Sequence, residues 1–327
     1  MMSGEHDLGF HAMGSEIRLL IGSPLVASAR PAGEAGVRER AYIEDFSARL
    51  SRFRPDSELC ALNADPRERV PASPLLRAAV SAAVWAAERS GGLIDPTLIG
   101  ALERVGYDRS RDGQEAAPLA QVLALAGPRG PAAPNAAGRW RALAIDEVAG
   151  VICRPVGLRI DTGGTSKGLC ADAVAHRLRH HSRFVVDCGG DLAIGGVAAQ
   201  IDPYDVEIEH PLSGETIRAI RVGAGGVATS GLNVNVWCDA QGRPRHHLID
   251  PATGEPAWTG VIGATALAPT ALEAETLAKM ALLLGPAGAR QVLEVHGGLI
   301  VLDDGDVEEI GPLDAPIGVL SARGFAA

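Results

Sequence analysis

The chain has 327 residues and a formal net charge of −10, from 40 acidic and 30 basic side chains. Apolar residues make up 46% of it and 40 positions are glycine, which is typical of a compact globular protein with many tight turns. The acidic balance and the lack of a long lysine or arginine run exclude the basic face that nucleic-acid binding needs.

The cysteine spacing and the N-terminal sequence indicate in which cellular compartment the protein is expected. The five cysteines form no C-x-x-C pair, and their odd number favours reduced thiols. The opening MMSGEHDLGFHAMGSEIRLL lacks the basic start and apolar run of a signal peptide. No apolar window approaches the roughly 20 residues of a membrane helix. We therefore expect a cytoplasmic protein without membrane insertion.

The first predicted elements follow from the spacing of apolar residues. Met13–Gly22 alternates weakly, which predicts a strand, and VRERAYIEDFSARLSRF from Val37 to Phe53 has helical spacing. LLRAAVSAAVWAAERS, which starts at Leu75, predicts an apolar helix that ends at a glycine pair. The sequence IDPT then forms a turn.

The segment Asp112–Arg139 changes character, because it packs prolines, glycines and alanines as in AGPRGPAAPNAAG. We predict no regular element there and interpret it as a variable surface segment or lobe boundary in a single domain spanning residues 1–327. Beyond it, short apolar runs that end in Gly, Pro, Asn or Asp predict strands feeding tight loops.

Two glycine-rich segments are candidates for ligand contacts. RIDTGGTSKG carries Asp161, a glycine pair and Lys167 ahead of a predicted helix at LCADAVAHRLR. Glycines before a helix N-terminus let backbone N–H groups approach a phosphate, and a lysine supplies countercharge, although a plain turn is the commoner interpretation. VVDCGGDLAIGG places Asp187 and Asp191 around another glycine pair, for which a strand bulge with two solvated aspartates is the simpler interpretation.

Two later segments carry hydroxyl and imidazole groups. GVATSG, at Gly226–Gly231, puts Thr229 and Ser230 in a predicted small-residue loop that suits hydrogen bonding to a ligand. RHHLIDPATG offers His246 and His247 as general-base candidates, because imidazole titrates near neutral pH, although most loop histidines are simply exposed. Several such polar turns among apolar strands favour one shared cleft.

In their order along the chain, these motifs resemble the ApbE family, the FAD:protein FMN transferases. The resemblance covers nearly the whole chain and is carried by MGS, SRFRPDSELCALN, IDPT, RIDTGGTSKG, CGGDLAIGG, VATSG, HHLIDPATGEP and the helix EAETLAKMALLLG. It implies an α+β fold, a two-lobed body similar to a duplicated T-fold, with FAD between the lobes.

The resemblance also implies a reaction and a set of site residues. Family members cleave the FAD pyrophosphate and attach FMN to a threonine of an acceptor protein, and some hydrolyse FAD to FMN and AMP. The family's essential histidine falls on His247, the implied general base, and a further flavin-contacting turn falls on Val105–Tyr107. The implied cofactor-binding residues are Met13, Phe53, Asp161, Lys167, Thr229, Ser230 and Ile249.

This sequence differs from the family pattern at the implied magnesium site. The implied ligands are a loop backbone oxygen, which maps to Gly164, and the aspartate and threonine of an A-D-A-L-A-T helix. Here the helix reads A-E-T-L-A-K, so Glu275 replaces the aspartate and Lys279 replaces the threonine. A charged lysine has three donors and no lone pair, so it is not a metal ligand.

Four interpretations of the Glu275/Lys279 pair stay open. The Lys279 ammonium stands in for magnesium at the flavin pyrophosphate, or FAD binds without transfer, or magnesium binds through Glu275 while Lys279 turns aside. In the fourth, the pair is a surface bridge worth roughly 0.2–0.5 kcal/mol. The apolar residues on most faces of this helix favour a buried pair with partners.

Overall fold

The computed structural model describes residues 5–313, which contain both helices and strands. The helices are α1 (Ala32–Leu50), α2 (Glu58–Ala64), α3 (Pro74–Arg89), α4 (Ile99–Arg104), α5 (Leu119–Leu125), α6 (Ser166–Arg177), α7 (Val197–Ile201) and α8 (Ala271–Leu293), with a 3-10 turn at Arg139–Ala142. The strands are β1 (His6–Ala12), β2 (Ser15–Ile21), β3 (Arg69–Pro71), β4 (Ala144–Asp146), β5 (Val151–Cys153), β6 (Phe184–Cys188), β7 (Asp191–Gly195), β8 (Tyr204–Glu209), β9 (Thr216–Val222), β10 (Gly225–Gly231), β11 (Val236–Cys238), β12 (Pro244–His246), β13 (Val261–Ala268), β14 (Gly298–Leu302) and β15 (Val307–Ile310).

The main sheet is antiparallel throughout, with the order β1-β2-β6-β7-β10-β13-β14-β15. One hydrophobic cluster joins its first strands to α1, α3 and α6. A second cluster joins its last strands to α8 and to the β8–β9 hairpin. The predicted α+β class and its two lobes are therefore confirmed, whereas the predicted domain limits at residues 1 and 327 lie outside the described residues.

Helices α6 and α8 touch along their backbones near the middle of the molecule. A Cβ added to Gly168 of α6 would lie 2.7 Å from the Ala271 oxygen and the Leu272 Cα of α8. The Asp172 carboxylate of α6 accepts hydrogen bonds from the N–H groups of Ala271 and Leu272, at 2.8 and 2.9 Å. Because these N–H groups lie in the first turn of α8, Asp172 fixes the start of that helix against α6.

Several predicted elements are confirmed, although α1 begins at Ala32, before the predicted start at Val37, and α6 also begins earlier than expected. Strand β2 and helices α1 and α3 lie where the apolar spacing predicts them, and α8 is interrupted at Gly285, whose φ is 70°. Helix α6 begins at Ser166, three residues before the predicted start at Leu169. Lys167 therefore lies in the first helical turn and not in the glycine loop.

Two predictions about irregular segments are wrong. Asp112–Arg139 contains α5, because its apolar residues at helical spacing, Leu119, Val122 and Leu123, are buried in the second cluster. GVATSG is not a loop but strand β10, which lies between β7 and β13. Small residues suit that strand, since a Cβ on Gly226 would lie 2.3 Å from the backbone of Thr270.

Two further features of the described residues concern membrane-spanning helices and the state of the cysteines. Within residues 5–313, no helix has the length and apolarity needed to cross a bilayer. All five cysteines are free, as predicted.

Candidate active site

A cavity of about 980 Å³ is lined by residues of both hydrophobic clusters. Its volume lies at the upper end of the range for small-molecule sites. Ten of the predicted site residues line it: Met13, Phe53, Asp161, Gly164, Lys167, Thr229, Ser230, His247, Ile249 and Lys279. The remaining one, Glu275, lies behind the wall, in contact with Lys279.

Met13 reaches the cavity from the tight turn between β1 and β2. Met13 and Gly14 have φ values of 57° and 68°, as the two central residues of a type I′ hairpin turn require. The Met13 N–H donates to the Ser47 Oγ of α1 at 3.2 Å. A non-glycine residue in this backbone region costs energy and is typically found at functional positions.

The glycine loop before α6 is held by Asp161. Its Oδ1 accepts a hydrogen bond from the Gly163 N–H at 2.9 Å, and its Oδ2 lies 3.0 Å from Nε of Arg52. Arg52 also donates to the Tyr107 carbonyl at 2.6 Å. The loop and the N-terminus of α6 line the cavity, and Arg52 links Asp161 of the loop to Tyr107.

Lys167 is paired with a buried carboxylate. Its Nζ lies 2.9 Å from Oδ2 of Asp191 and donates to the Gly189 carbonyl at 3.0 Å. Burial alone would lower the pKa of Lys167, but the carboxylates of Asp191 and Glu275 more than offset burial and raise it. Asp191 is only 1% exposed, so the interpretation of two solvated aspartates in the CGGD segment is wrong for this residue.

Glu275 and Lys279 form a buried ion pair. Lys279 Nζ lies 2.7 Å from Glu275 Oε1, and the Gly168 N–H donates to Oε2 at 2.9 Å. The Glu275 side chain is 0% exposed and that of Lys279 is 12% exposed. Burial raises the pKa of Glu275 to about 7, against the opposing effects of Lys279 and Lys167. The interpretation of a surface bridge is therefore wrong.

Lys167 and Lys279 are the only lysines in the sequence, against 28 arginines. Each is paired with its own buried carboxylate, and both line the cavity. Lysine carries a compact charge with three donors that suits contact with a phosphate oxygen.

The described residues do not fit the magnesium ion that the resemblance implies. Both Glu275 oxygens already accept hydrogen bonds, one of them from the ammonium that replaces a ligand. Within residues 5–313, no cluster of three or more His, Cys, Asp or Glu side chains is arranged to hold a metal.

The two adjacent histidines have different surroundings. His246 is buried against Trp258, with ring centroids 4.4 Å apart, and burial lowers its pKa to about 3. His247 lines the cavity, and its Nδ1 has no hydrogen-bond partner among the described residues. Burial, with the nearby charges of Lys279, Lys167 and Arg52, lowers the pKa of His247 to about 4. His247 is therefore neutral at pH 7 and able to accept a proton.

The aromatic rings of Phe53 and Tyr107 line another part of the cavity, whereas Trp237 is not among the lining residues and packs behind Tyr107. Tyr107 packs against Phe53, Trp237 and His247, with ring centroids 5.4, 5.9 and 6.0 Å apart. The Arg52 guanidinium lies 4.1 Å from the Phe53 ring centroid. The sequence motifs predicted Tyr107 as part of the flavin-contacting turn Val105–Tyr107, but they did not predict a role for Arg52 or Trp237. Arg52 adjoins Phe53 in the SRFRPDS motif, whereas Trp237 has no sequence signal.

The hydroxyl residues and Ile249 complete the wall. Thr229 Oγ1 lies 2.9 Å from Thr265 Oγ1 of the next strand. Ser230 is buried beside it, and Ile249 packs with Trp237. All three predicted residues therefore line the cavity. Thr229 and Ser230 lie on strand β10, however, and not in the predicted loop.

Comparison with known proteins gives matches to one family. The sequence model of the ApbE family matches residues 13–302. An FAD:protein FMN transferase from Treponema pallidum is 30% identical over 91% of this chain and 86% of that protein. One from Klebsiella pneumoniae is 33% identical, but this match spans 43% of the chain and only about two fifths (41%) of the relative.

Two crystal structures share the fold. The ApbE protein of Thermotoga maritima superposes with a TM-score of 0.74 at 23% identity, covering 94% of this chain and 97% of that one. The flavinyl transferase ApbE of Pseudomonas stutzeri, in its apo form, gives 0.72 at 21% identity, covering 95% and 96%. With the fold, the cavity and the matched sequence range in agreement, the chain belongs to the ApbE family.

Proposed function

We propose that this chain is an FAD:protein FMN transferase, which cleaves FAD and attaches FMN to a threonine of an acceptor protein. The observation that carries the proposal is that a neutral histidine and two paired lysines face one cavity. Aromatic rings suit the flavin, and lysines with the N-terminus of α6 suit phosphates.

In this reaction the threonine Oγ attacks the phosphorus of the FMN half, and the bond from that phosphorus to the AMP phosphate oxygen breaks. His247 takes the threonine proton, and AMP leaves with the electron pair of the broken bond. The unpartnered Nδ1 of His247 and its lowered pKa support this role. General-base catalysis of this kind contributes roughly 100- to 10,000-fold.

We further propose that the Lys279 ammonium stabilises the charge that develops on the phosphate oxygens, where the family resemblance implies magnesium. Its support is the hydrogen bonding of Glu275, which holds the Lys279 Nζ at the cavity wall. Phosphoryl transfer depends mainly on positioning and charge stabilisation, so a fixed cation in a dry site has a large effect.

The experiment incubates the chain with FAD and a threonine-bearing flavin-acceptor domain, with and without EDTA. We expect covalent flavin on the acceptor and equimolar AMP at the same rate in both samples. His247→Ala should reduce the rate by about 100- to 10,000-fold, whereas the exposed His176→Ala should not change it. Absence of covalent flavin in both samples would overturn the proposal.

The same assay distinguishes two other activities. AMP and FMN without covalent flavin would identify an FAD hydrolase, and tightly bound FAD without AMP would identify an FAD-binding protein that has lost catalysis. The double change Glu275→Asp with Lys279→Thr tests the position of the cation, because it should make transfer sensitive to EDTA and dependent on added magnesium. Unchanged metal affinity and rate would contradict the assignment of Lys279.

A further inference from the structure

One part of the cavity rim, on strand β8, is opposite in charge to the interior. Inside are Lys167, Lys279 and Arg52, whereas strand β8 contributes Glu207 and Glu209 to the lining. Both glutamates are exposed, and neither forms an ion pair within residues 5–313. We call Glu207–Glu209 the acidic rim. Because like charges repel, the rim disfavours the FAD phosphates and leaves this side of the cavity to another partner.

Strand β8 is also an open edge. Among residues 5–313 it pairs with β9 alone, and Val206 and Ile208 point into the second hydrophobic cluster. Within residues 5–313, no backbone hydrogen bond links Tyr204–Glu209 to any other element. The cavity is lined by residues of β8 and by none of β9, so the unpaired edge of β8 faces the cavity. An edge of this kind accepts an extended peptide as an additional strand.

The loop between β10 and β11 also contributes an exposed apolar side chain to the cavity lining. Val234 is 65% exposed and lines the cavity. The next residue, Asn235, directly precedes Val236 of β11, which pairs with His246 of β12, so this loop lies beside His247. A polypeptide in contact with Val234 therefore passes close to the proposed general base.

We propose that the acceptor's threonine-bearing segment binds as an extended strand along the open edge of β8, with an apolar side chain on Val234 and neutral or basic residues facing the acidic rim. This inference rests on the proposed transferase function. It assigns acceptor recognition to backbone hydrogen bonds from the regular part of β8, Tyr204–Ile208, where the register is unbroken. Sequence preference then comes from Val234 and the acidic rim.

The test measures binding of fluorescently labelled synthetic peptides to the full chain, with and without FAD. The probe has about ten residues, enough to span β8, with one central threonine between valines and a lysine near each end. A matched peptide carries N-methyl groups on every second amide, on the face that pairs with β8. A third peptide has both lysines changed to glutamate.

We expect the N-methylated peptide to bind at least tenfold more weakly and the glutamate peptide at least fivefold more weakly than the probe. The double change Glu207→Lys with Glu209→Lys should reverse the preference between the lysine and glutamate peptides. The control Glu215→Lys makes the same charge change in the β8–β9 turn, outside the cavity lining, and should keep the original preference.

Equal binding of the N-methylated and unmodified peptides, or absence of binding by the probe, would overturn strand addition. An equal effect of Glu215→Lys and of the rim substitutions would overturn the assignment to the rim. Release of AMP from FAD is measured in parallel. Its absence, with peptide binding intact, would contradict the transferase function and leave the docking edge supported.

Discussion

Helices α1 and α8 each carry an ion pair between residues four positions apart. In α1, Arg40 Nε lies 2.8 Å from Glu44 Oε1, and the two side chains are 49% and 47% exposed. In α8, Lys279 Nζ lies 2.7 Å from Glu275 Oε1, and the side chains are 12% and 0% exposed. Spacing and distance are nearly the same, so burial is the property that distinguishes them.

The comparison shows that sequence spacing alone does not fix what a charge pair does. Each charge of the exposed α1 pair gives up hydration by water to contact its partner, so the pair adds little to the free energy of unfolding. The α8 pair is almost fully removed from water, so each charge depends on the other, and Glu275 also accepts from the Gly168 N–H. It also lies at the wall of a cavity, where an ammonium is available to an anionic substrate.

The largest expected difference is in catalysis. Lys279→Met should lower the FMN transfer rate by about 100- to 1,000-fold, the usual effect of removing one group that stabilises transition-state charge. Arg40→Met should leave the rate unchanged. Single-turnover transfer to an acceptor domain measures both, and a similar rate for the Lys279 variant and the wild type would remove the catalytic distinction between the pairs.

The next difference is in stability. Lys279→Met leaves Glu275 buried without its partner and should reduce the free energy of unfolding by about 3–5 kcal/mol, whereas Arg40→Met should reduce it by about 0.2–0.5 kcal/mol. Adding Glu275→Gln to Lys279→Met should recover much of the loss, because the amide oxygen still accepts from the Gly168 N–H. Urea unfolding of the variants and the double variant provides the values, and equal losses in the two helices would contradict the role of burial.

A third difference concerns the pH dependence of transfer. A histidine base is lost as pH falls through its folded-state pKa, which is lowered to about 4 for His247 by burial and then by Lys279. The wild-type rate should therefore persist well below pH 6.5. In Lys279→Met one opposing charge is gone, so the acidic limb of kcat/KM should move to higher pH, whereas Arg40→Met should not move it. An unmoved limb would show that Lys279 and His247 do not interact.

The smallest difference is in salt sensitivity. The Debye length, beyond which salt largely screens the interaction between exposed charges, is about 10 Å at 0.1 M and about 3 Å at 1 M. The few tenths of a kcal/mol from Arg40–Glu44 should therefore vanish in 1 M NaCl, while the larger coupling of Glu275–Lys279 should persist. Double-mutant cycles at low and high salt measure both couplings, and a loss of the buried coupling in salt would indicate that water reaches it.

Local sequence pattern predicted the long elements because their signals are local. Helices α1, α3 and α8 have apolar spacing over many residues, and α8 starts at a threonine cap whose Oγ1 accepts from the Glu273 N–H. Helix α5 has the same spacing over seven residues, but the surrounding prolines and alanines obscured it. Strand β10 was missed since its small residues are explained only by the close approach of Thr270.

The candidate site stays a prediction, and the sequence named single residues of the cavity lining but not the contacts that join them. The ordered motifs named ten residues that line the cavity. They did not show that Asp191 is buried beside Lys167, or that Gly168 donates to Glu275, a contact between residues 107 positions apart. Such contacts depend on how α6 crosses α8, and no local spacing encodes that crossing.

Gly168 limits how this site can change in evolution. With no room for a Cβ between α6 and α8, the two backbones are already as close as their atoms allow. The gap that separates the glycine loop from the charged face of α8 is therefore set by main-chain contact and does not depend on side-chain length. Substitutions of side chains on α8 therefore change the groups presented to the cavity while the width of the gap stays fixed.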